Sequence, residues 1–315
     1  MEILTYTVTP EEDGVCVRHI LKARLHFSTH AIARLTRAEN GIRVNGIHAR
    51  TVDPVHTGDV VAVRSDDLRL PKLLPTPGNW PLPIVYEDEH LLILNKPAGM
   101  TAHASNFLPD TPTVAGALAY QRGADFIFHV VNRLDKGTTG LMAVAKSGYI
   151  HDRLRRPLHT DGFYREYRAV CIGYPDPPTG TIDAPIGRQA ESIIGRCVTP
   201  DGKPSRTEYT IIRAEHGLSL AACVPVTGRT HQIRVHFASL GHPLAGDDLY
   251  GGSRERIGRQ ALHCAEQRFR VPEYEMTPEG IRITAPPLEQ SRAVTVKSPL
   301  PPDLRALFGE DPLEI

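Results

Sequence analysis

Apolar and polar positions along this chain switch between helical and strand-like spacing without a regular alternation. In VRHILKARLHF (17–27), Ile20, Leu21 and Leu25 recur at helical spacing. Ser28 or Thr29 can then cap a second helix that runs toward Asn40-Gly41, a common helix stop. IRVN and GIHA follow as two short strands joined through Asn45-Gly46, a strong hairpin signal, and VVAVR closes the unit after the Gly58-Asp59 turn. This pattern predicts a small α/β domain over residues 1–70. Residues 71–83 (PKLLPTPGNWPLP) contain five prolines, which interrupt helices and sheet ladders alike, so the domain boundary is expected there.

Over residues 84–315 strand-like runs dominate: IVYED, LLILN, FIFHVV, LMAVA, YRAVCIG, SLAACVPV and IRITAP. Helical periods are fewer, near 112–122, 149–158 and 230–240. Strands and helices do not alternate strictly, which disfavours a doubly wound parallel sheet. The expected fold class is α+β: a mixed, mostly antiparallel sheet with flanking helices, plus the small N-terminal domain.

The chain has 315 residues, 41% hydrophobic and 23% charged, ordinary for a soluble globular protein. No apolar run approaches the roughly 20 residues that cross a bilayer. MEILTYTVTPEED lacks the basic start and apolar stretch of a signal peptide. A cytoplasmic protein without a membrane partner is expected, and a monomer, because no segment carries an apolar interface stripe. Five scattered cysteines without a CxxC pair read as reduced, mostly buried thiols rather than a zinc or disulfide framework. Formal net charge is zero, but residues 15–50 carry Arg18, Lys22, Arg24, Arg34, Arg37, Arg43 and Arg50 against Glu39 alone. A basic patch on a neutral protein suits selective binding of a polyanion. Ordinary solvated charge on a helical surface is the plainer alternative.

Three stretches carry candidate chemistry. In FIFHVVNRLDKGTTGLMAVAK (126–146) two apolar strands flank the polar loop NRLDKGTTG, longer than the usual hairpin connection of about 2–5 residues. Asp135 lies there beside Lys136 and two residues from Arg133, and cationic neighbours favour the ionised carboxylate. The loop alone suits a catalytic aspartate and a structural Asx-turn equally. In VTGRTHQIRVHFASLGHPLAGDDLYGG (226–252) Thr227 or Thr230 begins a helix that ends at Gly241, with His231 and Arg234 one turn apart on its polar side. Arg229 and Arg234 can each pair with a carboxylate or a phosphate; a basic solvated face is the alternative. His231 and His236 are about 140° apart around a helix, so they are not expected to share a zinc ion. In FYREYRAVCIG (163–173) Tyr167 shares a strand face with Arg165, a pattern that core packing also explains.

IVYEDEHLLILNKPAG (84–99), NRLDKGTTGL (132–141), REYRAV (165–170) and GRTHQIRVHFASLGHPLAGDDLYGG (228–252) occur in the order found in the RluA-type pseudouridine synthases, and QALHCAEQRF (260–269) looks like that family's following strand. The resemblance covers residues 84 to about 287. Upstream, the capped basic helix, the RVNG hairpin and the HTGDVV ending resemble the S-four-type RNA-binding domain. The resemblance implies isomerisation of uridine to pseudouridine in RNA without cofactor or metal, consistent with the lack of a GxxxxGK[ST] loop, a GxGxxG turn or a metal-ligand cluster. Asp135 is then the catalytic carboxylate and Arg234 the partner that keeps it ionised. Tyr167 is then a catalytic residue that packs on the flipped base and assists proton removal from its new bonding carbon, and Arg133 enters the RNA stack. Arg229, His231, Arg34 and Arg37 are the further residues expected to meet RNA. Large-subunit ribosomal RNA is the preferred partner and transfer RNA the second. A reading from a different class is an inactive RNA-binding ribosome-assembly factor, which would have lost Asp135 or Arg234. Asn132, where many members have His, and Thr139, often Ser, depart from the family pattern and bear on how the loop is braced.

Overall fold

The structure, a computed structural model, describes residues 3–25, 27–64, 75–104, 111–123, 126, 129–155, 163–190, 192–271, 275–277, 280–282 and 291–309. The N-terminal part runs β1 (Ile3–Thr7), α1 (Val17–His19) with a π-helical turn (Ile20–Arg24), α2 (Thr29–Leu35), β2 (Ile42–Val44), β3 (Ile47–His48) and β4 (Val60–Arg64). Ser28 is the cap of α2: its Oγ accepts from the Ala31 N–H at 3.1 Å. Asn45 and Gly46 both take positive φ, 50° and 81°, as the two-residue β2–β3 hairpin requires.

α2 ends at Leu35, short of the expected Asn40-Gly41 stop. The Arg37 and Ala38 N–H groups bond carbonyls three residues back rather than four, and Thr36 Oγ1 donates to Ala33 O. These bonds tighten the last turn and unwind it, leaving Arg37 in a turn beyond the helix.

The chain then forms β5 (Ile84–Glu87), β6 (Leu91–Lys96), α3 (Val114–Arg122), β7 (His129–Val130), β8 (Thr139–Ala145), α4 (Gly148–Arg155), β9 (Phe163–Ile172), β10 (Thr179–Asp183), β11 (Ile186–Arg188) and β12 (Arg196–Val198). It continues through β13 (Arg206–Glu215), β14 (Leu218–Pro225), α5 (Gln232–Ser239), β15 (Leu262–Val271), β16 (Glu275–Thr277), β17 (Gly280–Arg282), β18 (Arg292–Lys297) and α6 (Pro302–Arg305). Residues 127–128 of FIFHVV, 156–158 of the helical period and 283–286 of IRITAP lie outside the described residues.

The central sheet is ordered β10-β13-β14-β9-β15-β8-β6-β5, with β18 also on β15 and β7 on β8. Every pairing on this path is antiparallel except β15 with β8, which run parallel through His263↔Thr139 and Cys264↔Gly140. The sheet is therefore mixed and mostly antiparallel, as the run of strands suggested. β8 is buried along its whole length, the signature of a strand covered on both faces. The connection entering β8 consequently starts from the most constrained part of the sheet, and Asp135 lies on it.

Residues 75–83 pack on the flanking helix rather than hanging free. Gly78 N–H bonds Gly116 O at 3.1 Å, and a Cβ on Gly116 would come within 2.8 Å of Trp80. Residues 71–74 of the proline-rich stretch lie outside the described residues. The N-terminal sheet has the order β16-β17-β1-β4-β2-β3. Its outer pair comes from chain between β15 and β18, with β17 parallel to β1 through Leu4↔Ile281 and Thr5↔Arg282. This long-range pairing has no counterpart in a division of the sequence into consecutive intervals.

Candidate active site

Asp135 sits in the connection between β7 and β8, where the Thr138 N–H closes a turn onto its carbonyl at 3.0 Å. The turn is held from several sides. Lys96, at the end of β6 and fully buried, donates from Nζ to Pro97 O (2.8 Å), Met100 O (2.9 Å) and Lys136 O (3.3 Å). Gly99 N–H bonds the same Lys136 carbonyl at 2.9 Å. Arg259 Nη1 donates to Gly137 O at 3.0 Å while its other edge pairs with Asp303. Gly140 has φ +103°, and a Cβ there would lie 2.3 Å from Cys264 O, so only glycine lets β8 meet β15 at this point. The two departures from the family pattern also brace the loop. Buried Asn132 accepts through Oδ1 from Ala143 N–H (2.8 Å) and Gln267 Nε2 (3.2 Å), and Thr139 Oγ1 pairs with His263 Nδ1 at 2.9 Å.

The second half of the site is the start of α5. The helix begins one residue after His231, and neither Thr227 nor Thr230 is its cap. Thr227 Oγ1 instead donates to Gln232 Oε1 (2.6 Å), and Gln232 Nε2 bonds Arg206 O and Thr207 Oγ1. A buried glutamine thus ties the approaching loop to β13. His236, on the other side of α5, bonds Thr207 Oγ1 and Ala184 O and faces away from His231's partners.

Arg234 joins the two halves. Its Nε and Nη2 each meet an Asp247 oxygen at 2.7 Å, and its Nη1 reaches Asp135 Oδ2 at 3.2 Å. Its guanidinium also lies 5.0 Å from the Tyr250 ring centre. Burial opposes the Arg234 charge, but the Asp247 bonds and the Asp247 and Asp135 charges outweigh it and raise its pKa. Asp135 keeps 26% of its side chain exposed, against 1% for Asp247, so of the two carboxylates Asp135 is the one a substrate can touch. His231 Nε2 lies 3.8 Å from the same Asp135 oxygen.

Tyr167 projects from the middle of β9 and is buried. Burial pushes its phenol well above the ordinary tyrosine range; neighbouring Cys264 and the Asp135 charge act in the same direction and the Arg165 charge against it. Arg133 is exposed two residues before Asp135. Arg229 is not drawn into the cluster: its Nε bonds Pro204 O at 3.2 Å. Arg34 and Arg37 belong to the N-terminal part, where α2 meets α4 through Ser28 Oγ donating to Asp152 Oδ2 at 2.9 Å. All five cysteines are free thiols, three of them buried.

Sequence reasoning thus names Asp135, Arg234 and His231, which the fold brings together, but not Asp247, Tyr250 or Lys96. The first two of these lie within GDDLYGG and the third within NKPAG, motifs that carry the resemblance. Asp247 and Tyr250 each stand next to a glycine, and Lys96 stands before Pro97.

The site is a partly exposed carboxylate backed by a buried, doubly anchored arginine, with buried Tyr167 on strand β9. Residues 90–239, which contain Asp135, Tyr167 and Arg234, match the family model described as RNA pseudouridylate synthase. Over 257 residues the chain is 39% identical to an uncharacterized RNA pseudouridine synthase, YjbO, of Bacillus subtilis (strain 168), spanning 80% of this chain and 89% of the relative. This chain belongs to the RNA pseudouridylate synthase family. It is an isomerase acting on RNA. This pseudouridine synthase is also 34% identical to the ribosomal large subunit pseudouridine synthase D of Xylella fastidiosa (strain Temecula1 / ATCC 700964), over 82% of each chain. Among solved structures, human RNA Pseudouridylate Synthase Domain Containing 1 aligns with a TM-score of 0.54 at 27% identity, covering 70% of this chain and 83% of that one.

Proposed function

We propose that this enzyme isomerises uridines in large-subunit ribosomal RNA, with Asp135 working at the target ribose. The observation that carries this reading is the 3.2 Å contact between Arg234 Nη1 and the partly exposed carboxylate of Asp135, backed by Asp247. The fixed cation orients one oxygen of the carboxylate, and the solvent-facing part stays available to substrate.

The reaction breaks the bond from N1 of uracil to C1′, turns the base, and forms a bond from C5 to C1′. One proton leaves C5 and one arrives at N1, so no donor or redox partner is required. An ionised Asp135 begins either of two routes: attack on C1′ as a nucleophile, or removal of the 2′ proton as a general base. A uridine stacked in RNA must first be extruded, at a cost of a few kcal/mol. Exposed Arg133, beside Asp135, is suited to occupy the vacated position. Tyr167 is assigned to packing on the base, and burial, which raises the pKa of its phenol, disfavours a phenolate there. Arg34, Arg37 and Arg229 are assigned to phosphates, with the basic N-terminal part as the RNA-binding unit.

Ribosomal RNA is favoured by relatives named ribosomal large subunit pseudouridine synthase D and by the basic stretch at 15–50. The test is a map of pseudouridines in total RNA from cells with and without this gene. Loss of specific sites in large-subunit ribosomal RNA is expected. Loss confined to transfer RNA would overturn the substrate while leaving the reaction intact.

A further inference from the structure

His231 has a backbone conformation that a histidine rarely adopts and a ring partner that restricts its proton. Its φ and ψ are 59° and 19°, the left-handed region, immediately before α5 begins. A non-glycine residue held there is strained and persists where surrounding structure fixes it. The conformation brings Nδ1 to 2.6 Å from Tyr250 Oη and Nε2 to 3.8 Å from Asp135 Oδ2. The two rings meet edge to face, 5.6 Å between centres at 75°.

The hydrogen bonds around the pair suit one placement of the protons. Tyr250 Oη accepts from the Arg196 N–H at 3.0 Å, so its own hydrogen is free to point at His231 Nδ1. Nδ1 is then an acceptor, and a neutral imidazole must carry its proton on Nε2. The charged groups around His231 are Asp135, Arg234, Asp247 and Arg196. Burial is the largest influence and favours the uncharged ring, with the two arginines acting the same way against the two aspartates.

We infer that Tyr250 is a positioning residue that locks His231 as the Nε2–H tautomer, and that His231 donates a hydrogen bond from Nε2–H to the 2′-hydroxyl of the target ribose held at Asp135. This rests on the isomerase reading above. At 3.8 Å the Nε2–Oδ2 separation is too long for a direct hydrogen bond. It fits the base of a triangle whose apex is a hydroxyl oxygen about 2.8 Å from each, accepting from His231 and donating to Asp135. The 2′-hydroxyl is the sugar hydroxyl nearest C1′, and it is the group that separates RNA from DNA. His231 and Asp135 would together read it.

The test has two arms. In protein labelled with 15N-histidine, long-range proton–nitrogen correlations should report His231 as the Nε2–H tautomer in the wild type and as a mixture in Tyr250→Phe. Tyr250→Phe keeps the ring beside Arg234 and removes only the hydroxyl. On an RNA substrate, Tyr250→Phe should lower kcat about tenfold while KM stays within about twofold, the scale of one hydrogen bond to the reacting ribose. His231→Gln places an amide N–H near the Nε2 position without needing Tyr250. It should retain more kcat than His231→Ala, and adding Tyr250→Phe should not lower it further. An Nδ1–H or doubly protonated ring in the wild type would overturn the assignment. So would Tyr250→Phe with unchanged kcat, or an equal loss from Tyr250→Phe in the wild-type and His231→Gln backgrounds. If the isomerase reading itself were wrong, the wild type would form no pseudouridine, while the tautomer arm would still read as described.

Discussion

Arg234 and Asp247 form a two-point ion pair, Nε to Oδ2 and Nη2 to Oδ1 at 2.7 Å each, with side chains only 8% and 1% exposed. This pairing consumes one edge of the guanidinium and leaves Nη1 aimed at Asp135. Removing one member of a buried pair strands the other charge, at about 3–5 kcal/mol. Asp247→Ala should therefore lower unfolding free energy in urea by that order and also reduce kcat, although Asp247 does not face substrate.

Lys96 ties the turn that carries Asp135 through a buried Nζ. Burial pushes its pKa from 10.5 down to about 7, with the Asp135 charge opposing and the Arg259 charge assisting. Between those two values the folded chain sheds a proton that the unfolded chain keeps, leaving Nζ two hydrogens for its three carbonyl partners. Stability contributed through this group therefore rises with pH across that window. Lys96→Met removes that dependence. Urea unfolding of both proteins at pH 7 and pH 10 should show the stability difference moving in favour of the wild type at the higher pH.

Gly140→Ala tests the close approach of β8 and β15. Its φ of +103° and the 2.3 Å from a would-be Cβ to Cys264 O leave no relaxed position for a methyl group. Overpacking a core and straining the backbone each cost about 1–3 kcal/mol, and thermal unfolding should register a clear drop in Tm. A neutral result would mean that the two strands can separate freely.

If Arg34 and Arg37 meet phosphates, changing both to Ala should weaken RNA binding in a salt-dependent manner. The slope of log K against log salt should become shallower by about 1 for each phosphate no longer neutralised, measured by titration at several salt concentrations. Isomerisation of a minimal RNA saturating the enzyme should change little.

The catalytic half of the fold is legible because its motifs are local. The strand–loop–strand around Asp135 and the helix carrying Arg234 each lie in one continuous stretch, and only the 99-residue separation between them has to be supplied by resemblance. What stays hidden depends on distant partners. Lys96 looks like a solvated lysine until the fold buries it under the turn at 136. Asp247 is one of two adjacent aspartates, and sequence offers no reason to choose it over exposed Asp248. β1 lacks a local hairpin signal, and its parallel partner lies more than 270 residues away in β17. α2 is shorter than its pattern predicts because Thr36 diverts the backbone before the Asn40-Gly41 stop, a side-chain effect that periodicity does not record.

The most direct test of Asp135 as the reacting carboxylate is pseudouridine formation by Asp135→Asn. Asparagine preserves shape and packing while removing the charge, so the variant should fold with an unchanged circular dichroism spectrum and bind RNA. Chemical mapping of a substrate RNA should then find no pseudouridine above background with the variant and stoichiometric conversion with the wild type. Conversion by Asp135→Asn at a rate near the wild type's would contradict the assignment.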